Sequence, residues 1–349
     1  MMKHWIVESD VDTNKSYPQI VDSSFFLQQN EVVAFPTETV YGLGANASSD
    51  EAVEKIFKAK GRPSDNPLIV HIAKREQLIE LVEEIPKNAE QLMEAYWPGP
   101  LTIIFKRKKG VLSEKVTAGL ETVAVRMPDH PVALAIISAA GLPIAAPSAN
   151  RSGKPSPTTA QHVIDDLEGR IVGVVDGGET GVGVESTVVD CSGEVPVILR
   201  PGGVTKEQLE EVVGDVKVDA ALQTGEGAPK SPGMKYTHYA PNAPVYLVEG
   251  TPNDIQKLID EKKSEGLKVG VLTTAEGKDL YNAALVLACG ERENLSTVAH
   301  VLYDTLRAFN SSDVDIILSE MFPLEGVGLA IMNRLQKAAG HRVIKVENK

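Results

Sequence analysis

Residues 215–241 constrain this chain more than any other stretch, because apolar periodicity stops there and Gly225, Gly227, Pro229, Pro232 and Gly233 accumulate. Such a stretch reads as a linker. At 349 residues the chain is long for one core, so two domains are expected. Residues 1–214 form the first, 215–241 the linker and 242–349 the second. Ahead of the break, short strands are expected at 5–7, 32–35, 68–72, 101–106, 122–126, 142–147, 172–176, 186–190 and 197–200. Helices are expected at 20–29, 50–59, 75–84, 87–96, 131–140 and 204–212. That mixture predicts an α/β domain on a mixed sheet. Beyond the break, strands at 245–248, 269–273, 284–288 and 316–319 alternate with helices at 253–265, 295–309 and 328–339. Regular alternation predicts a small doubly wound parallel sheet.

The first domain is organised around residues 32–44, VVAFPTETVYGLG. The apolar run reads as a buried strand that Pro36 stops, having no N–H for a ladder. Thr37, Glu38 and Thr39 then place two hydroxyls and a carboxylate past the strand end, where ligands bind in open α/β sheets. The alternative is a plain strand, turn and helix cap. Gly42, Gly44 and Ala47 also fit the G-x-G-x-x-G/A pattern of an NAD-dependent enzyme. That fingerprint opens directly from its strand and is followed by an acid for the ribose. Here residues 37–41 intervene and residues 55–62 are mainly basic, which argues against it.

Before residue 241 there are 33 acidic and 23 basic residues, which argues against a broad electrostatic face for nucleic acid. It leaves room for a local basic pocket. Cys191 and Cys289 are the only cysteines, so neither a disulfide framework nor a zinc spacing is expected. No apolar run approaches the roughly 20 residues needed to span a bilayer. The opening MMKHWIVESD lacks the apolar core of a signal peptide, so a cytoplasmic protein without a membrane segment is expected.

Lys60, Arg62 and Asn66 share one loop beyond a basic helix. Fixed cationic donors suit a polyphosphate, the alternative being a solvated basic turn. No G-x-x-x-x-G-K-[ST] occurs. His71 at a strand end is either a ligand-facing donor or a core histidine. Arg126 ends an apolar strand and is costly to bury unpaired. A carboxylate-bearing substrate or a structural acid would satisfy it. Ser148 and Asn150 follow another apolar strand, and Ser186 and Thr187 follow GGETGVGVES. No G-x-S-x-G elbow is present, so these hydroxyls are hydrogen-bonding groups rather than nucleophiles. His238, between Tyr236 and Tyr239, has no second histidine or acid at metal spacing.

Taken together, PTETVYGLG, KAKGRPSDNPLIVHI, WPGPLT, VAVRMPDHP, PIAAPSANRSGKPSPT, ESTVVD, ILRPGG and SPGMKYTHYAP resemble the threonylcarbamoyl-AMP synthase family in its long, two-domain form. The resemblance runs through essentially the whole chain. It implies a twisted α/β sheet around a large cationic pocket, followed by a linker and a Rossmann-like domain. It implies an enzyme that condenses L-threonine, bicarbonate and ATP into L-threonylcarbamoyl-AMP and pyrophosphate, for a threonylcarbamoyl group placed on tRNA beside the anticodon. By the same resemblance, Thr39, His71, Arg126, Ser186 and the backbone at Ala146 hold threonine. Lys60, Arg62, Asn66, Thr122, Ser148, Ser156, Arg200 and Tyr239 hold ATP, with Mg²⁺ on its triphosphate and no protein nucleophile. Such a displacement needs positioning and charge neutralisation more than a covalent catalyst. A nucleic-acid binding module on the same basic pocket is the alternative reading.

The linker ends in SPGMKYTHYAP, residues 231–241, with aromatics and a cation between prolines. A tether needs none of these. The segment is therefore expected to close over ATP and exclude water from a hydrolysable adenylate. A Gly/Ser chain of equal length in its place is expected to lower adenylate synthesis. Full activity in that chimera would make the segment a plain tether.

Overall fold

The computed structural model describes residues 2–8, 16–220, 222 and 238–346. By contacts it divides into one unit of Met1–Ser152 with Ser156–Lys235, and another of Gly153–Pro155 with Tyr236–Lys349. Most of the stretch expected to close over the nucleotide, residues 231–237, lies outside the described residues.

The strands of the first unit are β1 Lys3–Ile6, β2 Val33–Phe35, β3 Gly42–Asn46, β4 Ile69–His71, β5 Leu101–Lys106 and β6 Thr122–Arg126. They continue with β7 Ile144–Ala145, β8 Gly173–Asp176, β9 Thr187–Asp190, β10 Val197–Arg200 and β11 Lys217–Val218. They form one mixed sheet in the order β1-β8-β2-β3-β7-β4-β6-β5-β9-β10-β11. Helices α1 Pro18–Gln28 and α2 Asp50–Lys60 precede α3 Arg75–Leu81, α4 Lys87–Tyr96 and α5 Glu114–Thr117. Helices α6 Pro131–Ala140, α7 Ala160–Leu167 and α8 Lys206–Val213 complete the unit's described helices.

Strand alternation explains how the sheet is covered. Val33 and Phe35 of β2 join a core with Ile20 and Leu27 of α1 and Val132 and Ile136 of α6. Ala34 points the other way, into a core with Ile56 of α2, Leu92 of α4 and Val163 of α7. Successive side chains of a strand face opposite sides, so β2 is buried on both. Ser49 caps α2, its side chain accepting from the Ala52 N–H at 3.2 Å. Gly61 ends that helix in the left-handed region at φ 63°, which turns the chain sharply into the basic loop.

Two local readings of the sequence are corrected here, and the dinucleotide turn argued against above is absent. Gly42 and Gly44 lie inside strand β3, paired antiparallel with Phe35 and Val33, and form no phosphate-binding turn. A Cβ on Gly44 would stand 2.5 Å from a ring carbon of Phe35 and 3.0 Å from Ile144, so the glycine gives room to its neighbours. Only Ile144–Ala145 of the strand expected at 142–147 is regular, because Pro143 and Pro147 bound it. Lys217–Val218, inside the expected linker, adds a parallel strand beside Val197 and Ile198. Helix α7 was not expected, although Thr159 caps it and Ala160, Val163 and Leu167 keep helical spacing, and neither was the short α5.

In the second unit β12 Val245–Glu249, β13 Val269–Thr273, β14 Leu285–Ala288, β15 Ile316–Glu320 and β16 Val343–Lys345 form a sheet in the order β14-β13-β15-β12-β16. Every pairing in it is parallel. Helices α9 Pro252–Ser264, α10 Leu295–Ala308 and α11 Gly328–Ala338 connect the strands. Thr251 and Asp254 close the start of α9 with a reciprocal capping box. A dinucleotide fold would keep its pyrophosphate at that helix start. Here an aspartate occupies it, which does not suit an anion.

Gly44→Ala is expected to cost about 1–3 kcal/mol through overpacking against Phe35 and Ile144. A lowered urea midpoint for the first unit's unfolding would show it; an unchanged midpoint would mean that the ring can move aside.

Candidate active site

The first unit's chemistry lies on a face of its sheet. Thr102 of β5 stands opposite Arg126 of β6, and Arg126 opposite His71 of β4. Paired residues share a face, so these three side chains form a row across three strands. Beside that row, Ile69, Ile104, Ala124, Val188 and Leu199 make a small buried apolar cluster of their own, apart from the two main cores. Strand β10 contributes through an irregularity. The register shifts between Ile198 and Arg200 and sets Arg200 opposite Val188. A bulge of this kind re-aims a side chain, and it brings Arg200 onto the face of Thr102.

Arg126 is the centre of the row and is buried. Its Nη1 donates to Thr39 Oγ1 at 2.9 Å and its Nε to the Gly99 carbonyl at 3.3 Å. Its Nη2 lies 2.6 Å from Glu38 Oε1. The structural acid left open by the sequence is thus Glu38. That contact is short but not aligned as a hydrogen bond, and both Glu38 oxygens lack an aligned donor. Thr37 sets the loop: its hydroxyl donates to the Val40 carbonyl at 2.7 Å and lies 2.9 Å from Thr39 Oγ1. A hydroxyl has one proton to give, so Thr39 donates to Thr37 while accepting from Arg126.

These contacts revise where the site was expected. Strand β2 runs parallel to β8 and antiparallel to β3, β3 antiparallel to β7, and β7 antiparallel to β4. β2 and β4 therefore point in opposite senses, and no common row of strand ends exists. The rule for doubly wound sheets does not apply to this mixed one.

Ser186 closes the other side of the row. Its hydroxyl lies 2.7 Å from Thr102 Oγ1 and accepts from Arg200 Nη2 at 3.1 Å. Arg200 also grips the Ser186 carbonyl through Nε at 3.1 Å and Nη2 at 2.9 Å. Gly202 packs its backbone there so closely that a Cβ would meet the Glu185 carbonyl at 2.2 Å. His71 is buried, its Nδ1 without a hydrogen-bond partner. Burial, then the neighbouring Arg126 charge, pushes its pKa down to about 3, so the ring is neutral near pH 7. Ala146 donates its N–H to the Ile69 carbonyl at 2.9 Å.

Five of the expected ATP residues, Lys60, Arg62, Asn66, Ser148 and Ser156, form a second group, whereas Arg200 sits with Ser186. Lys60, at the end of α2, is buried, and its ammonium donates to the Ser148 carbonyl, the Asn150 carbonyl at 2.8 Å and Asn150 Oδ1 at 3.2 Å. Burial pulls its pKa well below the usual lysine value, and the Arg62 charge adds to this. Three acceptors and no donor still match an ammonium rather than an amine. Ser148 donates to Asn150 Oδ1 at 2.6 Å. Ser156 is fully buried and donates to Glu185 Oε1 at 2.6 Å. Arg62 reaches the Asn66 and Pro67 carbonyls at 3.3 and 3.4 Å, and Asn66 is buried with Oδ1 unpartnered. Thr122 shares the face of Arg126 but begins the strand that Arg126 ends.

Tyr239 belongs to the second unit, where its ring lies 5.1 Å from that of Tyr303 and 5.8 Å from the Arg334 guanidinium. Thr102 and Glu185 were missed by sequence reasoning. A hydroxyl inside the apolar run LTIIF was the available signal for Thr102. Among the described residues no group of three or more His, Cys, Asp or Glu side chains is arranged to hold a metal, and no helix is long and apolar enough to cross a membrane.

This fold and face define a small-molecule site lined by buried arginines and hydroxyls. A family model described as telomere recombination matches residues 26–202, and one described as the threonylcarbamoyl-AMP synthase C-terminal domain matches residues 204–340. A Bacillus subtilis threonylcarbamoyl-AMP synthase is 60% identical over 98% of this chain and 99% of its own length. A Pyrococcus abyssi threonylcarbamoyl-AMP synthase is 50% identical over 92% of this chain and 94% of its own. The crystal structure of P. abyssi Sua5 complexed with L-threonine superimposes with a TM-score of 0.92 at 46% identity, covering 99% of this chain and 100% of that one. The chain belongs to the threonylcarbamoyl-AMP synthase family, in its two-domain form.

The depressed pKa of His71 fixes a sign. Above pH 6.5 the ring is neutral in both folded and unfolded chains. Below that the unfolded chain takes up a proton that the folded one resists, so stability falls as pH drops toward about 3. The full slope is about 1.4 kcal/mol per pH unit. His71→Asn is expected to lack this component in urea unfolding at successive pH values; identical slopes for the two proteins would refute it.

Proposed function

We propose that this chain is an L-threonylcarbamoyladenylate synthase, a nucleotidyltransferase that converts L-threonine, bicarbonate and ATP into L-threonylcarbamoyl-AMP, pyrophosphate and water. The observation that carries the reading is the row His71–Arg126–Thr102–Ser186, a buried cation among neutral hydrogen-bonding groups. Arg126 takes the amino-acid carboxylate. Thr39, Ser186, His71 and the backbone at Ala146 define the rest of the threonine site. Neutral His71 adds a polar group there without a second charge.

ATP lies along the same face. Thr122 and Arg126 are separated by roughly 13 Å at ordinary strand rise, a span that suits a nucleotide beside an amino acid. Arg62, Asn66, Ser148, Ser156, Arg200 and Tyr239 contact the nucleotide, and residues 231–241 serve as its lid. Lys60 acts through the loop it holds, because its three protons are committed to Ser148 and Asn150. Residues 1–214 are the catalytic domain and 242–349 the accessory one. Mg²⁺ arrives on the triphosphate, held through phosphate oxygens with few protein ligands. The carbamate oxygen then displaces pyrophosphate at the α-phosphorus, with the protein supplying position and positive charge.

The enzyme works in the cytoplasm as the first step of tRNA threonylcarbamoyladenosine modification. It passes its product to the transfer machinery without strong nucleic-acid binding of its own. Mass spectrometry should detect an adenylate that requires threonine, bicarbonate and ATP together; its absence would end the proposal. Arg62→Ala should weaken ATP binding by about 1.5–3 kcal/mol in calorimetry. Serine should be a weak substrate and valine a very poor one, since valine leaves buried polar groups unpaired. Equal turnover of valine and threonine would mean that the pocket recognises something other than the hydroxyl.

A further inference from the structure

Carbamate formation needs threonine's amine unprotonated, yet near pH 7 an α-amino group is mostly an ammonium. A base at the threonine site would remove that obstacle. Most polar groups around the row are unsuited. His71 is a weak base at a pKa of about 3, and Lys60, Arg126 and Arg200 are cations. Ser186 and Thr102 are bonded to each other. Glu185 already accepts from Ser156.

Glu38 is different. Its side chain is 13% exposed, and both carboxylate oxygens are buried without an aligned donor. Such a group costs free energy wherever its lone pairs go unmet. It stands 2.6 Å from Arg126 Nη2, the cation assigned to the substrate carboxylate. In an α-amino acid the ammonium is on the carbon next to the carboxylate. A carboxylate seated on Arg126 therefore brings the ammonium beside Glu38. His130, which caps α6 and whose own pKa burial lowers, also lies close enough to Glu38 to feel its charge. Arg126 has no lone pair to take a proton, and His130 Nδ1 already accepts from the Val132 N–H at 3.2 Å.

We propose that Glu38 is the general base that deprotonates the threonine ammonium, and that substrate binding releases it from Arg126 to do so. The inference rests on the function proposed above. One proton passes from the ammonium to a Glu38 carboxylate oxygen. The freed nitrogen lone pair forms the N–C bond to bicarbonate carbon. The hydroxyl of bicarbonate leaves as water with one of the two remaining N–H protons. The product is the carbamate anion, and Glu38 returns its proton to solvent after turnover. No oxidant or reductant is involved.

The test measures threonine-dependent pyrophosphate release by the full chain at saturating ATP and bicarbonate, from pH 6.5 to 9. Glu38→Gln keeps the shape and removes the base. Its kcat should fall at least about 100-fold at pH 7, the scale of general-base catalysis. It should recover relative to wild type by close to tenfold per pH unit, as free threonine supplies its own neutral amine. A merely charge-balancing Glu38 predicts otherwise: the unneutralised Arg126 would lower KM for threonine and leave kcat within about threefold. That result, or a loss of kcat independent of pH, overturns the proposal. Glu38→Asp retains a carboxylate and should keep the wild-type pH profile at reduced kcat. If the Gln variant does not fold, a wild-type profile in the Asp variant supports the base and an altered one overturns it. A wild-type chain that forms no adenylate overturns both readings, whereas an active wild type with an equally active Gln variant removes only the role of Glu38.

Discussion

The first unit depends on keeping a guanidinium dry. Arg126 is buried on a sheet face, where an unpaired cation would cost several kcal/mol. Three partners offset that cost: a hydroxyl, a backbone carbonyl and a carboxylate, from Thr39, Gly99 and Glu38. Glu38 and Thr39 belong to the loop after β2 and Gly99 to the turn before β5, so both segments are fixed by one side chain. The Glu38 contact is the least committed, being short without alignment. The substrate role proposed for Arg126 calls for such a partner, strong enough to stabilise the fold and weak enough to yield.

The same logic separates the two buried cations. Arg126 has an N–H group turned toward a replaceable partner. Lys60 has none, because its three acceptors are the backbone and amide of one loop. Residue type alone would class both as anion ligands. Geometry separates them: Arg126 keeps an N–H group beside a carboxylate not aligned to it, and Lys60 is a support on which Ser148 and Asn150 rest.

Much of this was legible in the residues. The strands at 101–106 and 122–126 and the helices at 87–96 and 131–140 fall where apolar spacing and proline placed them. So does the alternation of the second unit, apart from edge strand β16, whose Val343 and Lys345 are exposed and leave no apolar pattern. What stayed hidden was relational. Strand β3 reads as a turn because its glycines signal flexibility, whereas Gly44 makes room for Phe35 and Gly42 lies against Ala146. Arg200 reaches the site face through a register shift that no local pattern encodes. Thr102 looked like an ordinary strand threonine until Arg126 and Ser186 were set beside it. Pattern gave the elements; the sense in which β2 and β4 run decided that the site lies on a face.

The edge strand β1 has a consequence in time. Lys3 pairs with Gly173 and Trp5 with Val175, and on the other flank of β8 Val33 also pairs with Gly173. On the ribosome, β1 waits for a partner made 170 residues later. At 5–20 residues per second that delay is roughly 10–30 s. During it β1 has no strand to join, and β2 can pair only with β3 on its other flank. Vectorial synthesis therefore leaves β1 without its partner until 170 further residues have followed it, and makes β8 the strand that ties β1 to β2.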